Sequence, residues 1–149
     1  MILEISLAIF LCLYFIYRFL IKKRTKQVRF VGCRSTGKTT LINFLANRKY
    51  KTVPTLEKYS TKIKDSIIED IPECDGDLLS KYSIDDPNYQ YFFFVKDFED
   101  YENFKQAFSS LKTPSAYDLK FVITEGEICK KQDDLICLNG DYKAFEKML

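Results

Sequence analysis

The sequence predicts an α/β fold, in which an open and mostly parallel sheet is preceded by one N-terminal transmembrane helix. Three observations support this prediction. Residues 2–21 are almost entirely apolar, short β-favouring runs alternate with helical apolar spacing after residue 26, and a glycine-rich loop joins the first strand to the first helix. The 149 residues leave room for one compact domain, because a domain typically takes about 100–200 residues. We therefore expect a transmembrane helix (1–21), a basic linker (22–26) and one domain (27–149).

The N-terminal apolar run has the length and the flanking charges of a membrane anchor. Ile2–Ile21 is interrupted only by Glu4, Ser6 and Arg18, and about 20 helical residues cover the roughly 30 Å hydrocarbon core of a bilayer. A cleaved signal carries its basic residues before the apolar run, whereas here they follow it. By the positive-inside rule the rest of the chain then lies in the cytosol, where its cysteines are expected to be thiols. A buried core helix is the alternative interpretation.

Composition excludes several classes of function. The chain contains no histidine, which rules out histidine-based catalytic triads, histidine metal sites and histidine acid–base catalysis. Its formal net charge of +2 is too small to indicate nucleic-acid binding. The 13 Phe and 10 Tyr argue for a packed core and against a disordered chain.

The glycine-rich loop has the pattern of a nucleotide phosphate site. Residues 32–39 fit G-x-x-x-x-G-K-[ST] at every fixed position, between a β-favouring run and a helical run. Gly32 and Gly37 let the backbone curl so that successive N–H groups point at one anion, Lys38 reaches the β- and γ-phosphates, and the Thr39 hydroxyl is a Mg²⁺ ligand. The candidate phosphate-binding residues are Gly32, Cys33, Arg34, Ser35, Thr36, Gly37, Lys38, Thr39 and Thr40. The alternative is a glycine-rich turn that holds no ligand.

A predicted β-hairpin follows the first helix. Tyr59–Lys64 alternates between polar and apolar residues, and Ser66–Asp70 ends in an acid. An acid at the end of a strand beside a phosphate loop can hold Mg²⁺ through water, so Asp70 is a candidate metal residue. Thr55, in the loop before the hairpin, can close over the γ-phosphate and the metal.

The remaining elements extend the sheet. We expect strands at Tyr91–Val95, Leu119–Thr124 and Leu135–Leu138, and helices at Tyr101–Leu111 and Tyr142–Leu149. The aromatic stripes of these elements are interpreted as core rather than as a cofactor site. Parallel strands that alternate with helices place a nucleotide outside the carboxyl ends of the strands.

In the order of its elements the chain resembles the Arf-like branch of the small GTPases, in which a phosphate loop, a helix, a loop, a hairpin and an acid follow one another in the same way. Thr55 falls where the switch I threonine would lie, and Asp70 to Glu73 falls on the switch II D-x-x-G. A proline at the third switch II position, here Pro72, together with an N-terminal membrane helix, looks specifically like the family of signal recognition particle receptor beta subunits.

The resemblance implies the cofactors and the metal ligands. GTP and Mg²⁺ are implied, with the metal held by Thr39, Thr55 and, through water, Asp70. Base contacts are implied at Thr124, Glu127, Asn139 and Gly140. The chain departs from the family pattern at Glu125, which lacks the lysine stem that covers the base, and the alternative there is a solvated acidic loop.

Two further departures concern hydrolysis and nucleotide preference. Glu73 replaces the switch II glycine, and its carboxylate should weaken triphosphate binding or be forced outward. Cys74 replaces the residue that orients the attacking water, so negligible intrinsic hydrolysis is expected. The domain is also short for this fold, and one helix must be reduced or missing, either before Leu119 or after Thr124.

The resemblance implies a membrane-anchored GTP-binding receptor subunit of the endoplasmic reticulum, crossing the membrane once with its G domain in the cytosol. It would dock the receptor's alpha subunit for co-translational protein targeting, without direct contact to nucleic acid. The alternatives are an Arf- or Sar-like GTPase of vesicle traffic and a structural anchor that holds no nucleotide. A phosphotransferase is disfavoured because all arginines lie in the first third of the chain, which leaves none for a lid.

Overall fold

The computed structural model describes residues 10–15, 17, 25–49, 56–111, 116–126 and 132–149. Its strands are β1 (Lys26–Gly32), β2 (Tyr59–Ile63), β3 (Ser66–Asp70), β4 (Gln90–Val95), β5 (Asp118–Ile123) and β6 (Leu135–Cys137). Its helices are α1 (Lys38–Leu45), α2 (Leu78–Lys81), α3 (Phe98–Ser109) and α4 (Tyr142–Glu146). The six strands form one sheet in the order β2-β3-β1-β4-β5-β6, so the chain is α/β with a mostly parallel sheet.

Strand direction brings the ends of several strands to one edge. β1 runs parallel to β3 and β4, and β5 runs parallel to β4 and β6, whereas β2 alone is antiparallel to its neighbour β3. Phe30 of β1 lies beside Asp70 of β3, and Gly32 lies beside Phe94 of β4. The residues that follow β1, β3, β4 and β5 therefore meet at the carboxyl edge of the sheet, where open α/β sheets bind ligands.

The sheet buries apolar side chains on both faces because successive strand residues point in opposite directions. On one face Phe30 packs against Phe145 of α4, with ring centroids 5.6 Å apart. On the other face Phe93 packs against Phe108 of α3, at 5.3 Å. All residues of the aromatic run Tyr91–Val95 are buried, so these aromatics form the core, as expected.

Helix boundaries follow local capping groups. α3 begins at Phe98, three residues before the predicted start, because the Asp97 side chain accepts a hydrogen bond of 2.8 Å from the Asp100 N–H. The one-turn helix α2 begins in the same way, with the Asp77 side chain accepting from the Ser80 N–H at 2.9 Å. Between β5 and β6, the described residues 124–126 and 132–134 contain no helix.

A buried arginine fixes the connection between α2 and β4. Arg29, in the centre of β1, donates from Nε to Glu69 of β3 at 2.9 Å and from a terminal nitrogen to the Ser83 carbonyl, also at 2.9 Å. The same guanidinium pairs with Asp85 and lies 3.9 Å from the ring centroid of Tyr89. These contacts hold the segment after α2 against the sheet.

The prediction of a transmembrane helix over residues 1–21 is wrong, and so is the prediction of a single-pass endoplasmic reticulum membrane protein. Within the described part of the chain, no helix is long and apolar enough to cross a membrane. A crossing needs about 20 helical residues, and the helical residues described in this segment are 10–15 and Tyr17. The other residues of the segment, and residues 22–24 of the predicted linker, lie outside the described residues. β1 begins at Lys26, inside that linker.

The cysteines differ from expectation at one residue. Cys12, Cys33 and Cys74 are free thiols, as predicted. Cys137, at the end of β6, is disulfide-bonded, so the expectation of thiols throughout is wrong there. Cys129 lies outside the described residues.

Candidate functional site

A cavity of about 660 Å³ opens at the carboxyl edge of the sheet. Its size falls within the range of small-molecule sites, about 300–1,000 Å³. The cavity is lined by residues at the ends of β1, β3, β4 and β5, by the loop between β1 and α1, by the start of α1 and by one residue before β2: Gly32, Arg34, Ser35, Thr36, Gly37, Lys38, Thr39, Thr40, Leu56, Ile71, Pro72, Glu73, Val95, Lys96, Thr124 and Glu125. Most of the predicted phosphate-binding residues therefore face one common space.

Two glycines give the loop between β1 and α1 its curl. Gly32 has φ +114°, and a Cβ there would lie 2.3 Å from the Phe94 carbonyl oxygen of β4. The next N–H, of Cys33, donates to that same oxygen at 3.0 Å, which holds the loop against β4. Gly37 has φ +81°, and a Cβ there would lie 3.0 Å from the Thr124 hydroxyl oxygen. Any other residue would be strained at both positions.

Lys38 lies folded over this loop. Its ammonium group donates to the Gly32 carbonyl at 2.9 Å and to the Cys33 carbonyl at 2.6 Å. Burial lowers the pKa of Lys38 below its usual value, while the negative charges of Asp70 and Glu73 act in the opposite direction. A phosphate would offer this half-buried cation a charge-assisted hydrogen bond in addition to the two neutral carbonyls.

Thr39 and Asp70 are brought together at the start of α1. The Thr39 hydroxyl donates to a carboxylate oxygen of Asp70 at 2.8 Å, and Asp70 is fully buried at the end of β3. Among the described residues, no group of three or more acidic or cysteine side chains is arranged to hold a metal. The pair fits Mg²⁺ nonetheless, because this ion is usually bound through one or two protein oxygens, with phosphate and water as the other ligands.

Glu73 lies in the cavity wall, with its side chain 21% exposed. One carboxylate oxygen lies 2.7 Å from the Lys81 ammonium of α2, and the other lies 3.6 Å from the Nε of Arg34 in the loop. The carboxylate thus lies between two cations, one in α2 and one in the loop between β1 and α1. Cys74 is exposed, does not line the cavity, and its thiol lies 3.7 Å from the Pro72 carbonyl.

The predicted base-binding residues are only partly brought together. Thr124 is buried, and its hydroxyl donates to the Thr36 carbonyl at 2.8 Å, which joins the end of β5 to the phosphate loop. The Gly140 N–H donates to the Thr124 carbonyl at 3.0 Å. The turn of Asn139 and Gly140 therefore contacts the backbone of Thr124, but neither residue of the turn lines the cavity. Glu127, like Thr55, lies outside the described residues.

Sequence reasoning missed two cations of the site. Lys96 lines the cavity, and a signal for it exists, because it directly follows the buried strand β4 at the sheet edge that binds ligands. Lys81 reaches the site through its ion pair with Glu73. The sequence carries no signal for that pairing, because it depends on how α2 packs after β3.

Comparison with known proteins adds no assignment to this geometry. No protein-family model matches the chain, and no curated protein matches it either. The chemistry of the site therefore rests on the loop pattern and on the contacts of Lys38, Thr39, Asp70 and Glu73.

Proposed function

We propose that this chain is a nucleotide-binding switch protein of the small-GTPase type, which holds GTP and Mg²⁺ at the loop of residues 32–40. One observation carries the proposal. The Lys38 ammonium lies on the carbonyls of Gly32 and Cys33, and Thr39, which lines the same cavity, donates to the buried carboxylate of Asp70. A cation, a hydroxyl and a carboxylate placed in this way match the β- and γ-phosphates and a magnesium ion.

The loop backbone supports the same proposal. The positive φ angles of Gly32 and Gly37 curl the chain between β1 and α1 so that N–H groups can face one anion. The N-terminal end of α1, which begins at Lys38, adds the positive end of a helix dipole. A loop that is already curled in this way would need little rearrangement of its backbone to accept a phosphate.

Binding rather than turnover is the expected activity. Small GTPases orient the attacking water with a side chain such as glutamine, and none of the described lining residues is a glutamine. Cys74, at the corresponding place in the resemblance, is exposed outside the cavity wall. Mg²⁺ would be held by Thr39 and Asp70 and would neutralise phosphate charge. The chain's own residues then orient the nucleotide without activating water.

Nucleotide retention tests the proposal. The full-length chain is purified, its bound nucleotide is extracted and identified, and the result is compared with Lys38→Ala and with a control, Lys62→Ala, which removes an exposed lysine of β2. We expect guanine nucleotide in the wild type and in the control, and none in Lys38→Ala. Adenine nucleotide would overturn the base assignment, and equal retention by Lys38→Ala would overturn the site.

The resemblance extends the proposal to a partner. Pro72 lies in the cavity wall beside Glu73, at the position that looks like the switch II of signal recognition particle receptor beta subunits. The partner proposed on this ground is the receptor's alpha subunit, and the process is co-translational targeting. Binding of purified alpha subunit only to the GTP-loaded chain would support it. Binding of a vesicle-coat component instead would favour the Arf- or Sar-like alternative.

A second candidate is a structural subunit that holds no nucleotide. The observation that favours it is Glu73, because the site already contains an anion paired with Arg34 and Lys81. Glu125, in place of a base-covering lysine, points the same way. The retention experiment separates the two candidates, since this alternative predicts an empty wild-type protein.

A further inference from the structure

Glu73 joins two cations that belong to different elements. Its two carboxylate oxygens face separate partners, Lys81 of α2 at 2.7 Å and Arg34 of the phosphate loop at 3.6 Å. Arg34 is 80% exposed and Lys81 is 39% exposed, so solvent screens both pairs and neither is strong. Either cation can therefore leave Glu73 for an anion that binds it more strongly, at little cost in free energy.

The residues around Glu73 form a compact unit. The Cys74 N–H donates to the Lys81 carbonyl at 2.9 Å, and the Lys81 N–H donates to the Asp77 carbonyl at 2.7 Å. The segment of residues 73–81 is thus closed on itself by backbone hydrogen bonds. A force that moves the Glu73 side chain away from the loop acts on the whole segment.

Glu73 is also an anion inside an anion site. It lines the same cavity as Lys38 and Arg34, and its charge is one of those that raise the pKa of Lys38 against the effect of burial. A phosphate bound to Lys38 therefore meets the field of this carboxylate. The repulsion grows with the number of phosphates that extend toward Arg34.

We infer that Glu73 sets the preference of the site between nucleoside diphosphates and triphosphates; the inference rests on the function proposed above. A diphosphate on Lys38 leaves the ion pairs of Glu73 in place. A terminal phosphate takes Arg34 from Glu73, because guanidinium binds phosphate through paired, charge-assisted hydrogen bonds. The displaced carboxylate then moves the segment of residues 73–81, so this residue couples the third phosphate to the position of α2.

Binding of GDP and of a non-hydrolysable GTP analogue to the full-length chain tests the inference. Glu73→Gln keeps the shape of the side chain and removes its charge, and we expect it to raise the affinity for the analogue by about three- to tenfold while GDP changes by less than about twofold. Asp75→Asn is the matched control. Asp75 carries the same charge in the same segment and acts on Lys81, but it does not line the cavity, so both affinities should stay within about twofold.

Hydrogen exchange supplies a second readout. With the analogue bound to the wild type, the amide of Cys74 and its neighbours should exchange faster than with GDP, and this difference should vanish in Glu73→Gln. An equal change in both affinities, or none, would overturn the inference while leaving the proposed function intact. If the wild type binds neither nucleotide, the proposed function and the inference both fail.

Discussion

The Thr39 hydroxyl donates a hydrogen bond of 2.8 Å to the Asp70 carboxylate, across 31 residues of sequence. This contact joins the first turn of α1 to the end of β3. It places two hard oxygen donors beside the Lys38 ammonium, at the edge of the sheet where a nucleotide would present its phosphates. The proposed dependence of binding on Mg²⁺ follows from this contact.

Removing the hydroxyl should uncouple nucleotide binding from magnesium. Thr39→Ala is expected to lower the affinity of the nucleotide complex for Mg²⁺ by about tenfold or more, because a protein ligand is lost. Titration of Mg²⁺ into the nucleotide-loaded protein, followed by nucleotide release, measures this. Ser60→Ala, which removes an exposed hydroxyl from β2, should leave the titration unchanged. An unchanged titration in Thr39→Ala would contradict the metal assignment.

Gly32 should tolerate no side chain. Gly32→Ala places a Cβ 2.3 Å from the Phe94 carbonyl oxygen at φ +114°, and the clash together with the strain should cost about 3 kcal/mol or more of unfolding free energy. Gly126→Ala is the control, since its Cβ would make an ordinary contact of 3.4 Å with Ile123. It should be neutral within about 1 kcal/mol. Urea denaturation measures the free energy of unfolding of both variants, and equal values would contradict the geometry of the loop.

Arg29 should contribute to stability far more than an exposed arginine. Arg29→Met removes one of the two cations that the described part of the chain places on Glu69 and leaves Lys58, at 2.9 Å; it also removes the bond to the Ser83 carbonyl. A loss of about 3 kcal/mol is expected, because a buried ion pair loses one member. Arg48→Met, an exposed arginine that contacts Tyr59, should cost less than about 1 kcal/mol. Denaturation midpoints that fall equally would show that burial of Arg29 does not matter.

The carboxylate of Asp134 should make the free energy of unfolding depend on pH in the acid range. Burial alone would raise its pKa, but hydrogen bonds from Lys105 and Tyr101 outweigh burial and hold the pKa of Asp134 below its ordinary value of 3.8. A lowered pKa stabilises the folded state above the ordinary value, and this contribution is lost as the pH falls through the folded-state pKa. The wild type should therefore exceed Asp134→Asn in stability at pH 5 to 7 and lose that advantage below about pH 4. A constant difference across this range would contradict the assignment.

The curl of the loop between β1 and α1 could be predicted from sequence because its shape is local. Gly32 and Gly37 supply the backbone angles of the loop, and these angles largely set the position of Lys38, which follows. The hairpin was also predictable, since Asp65 separates the alternating run Tyr59–Lys64 from the short run Ser66–Asp70. These features depend on neighbours within a few residues.

The features that the sequence did not predict depend on long-range contacts. The membrane crossing, which was predicted wrongly, depends on more than composition. The pairing of Glu73 with Lys81 requires the fold of the intervening segment, and the use of the Thr124 hydroxyl by the loop requires β5 beside it. The apolar run of residues 2–21 suggested a membrane crossing by length and hydropathy alone. Neither quantity establishes one continuous helix, and the described residues do not contain one of that length.

Calorimetric titration of GTP and Mg²⁺ into the nucleotide-depleted, full-length protein measures whether the loop of residues 32–40 holds a nucleotide. We expect saturable binding with one site per chain, which is lost on substitution Lys38→Ala and retained in Lys62→Ala. Absence of binding by the wild-type protein at millimolar nucleotide, or binding that Lys38→Ala leaves unchanged, would contradict it.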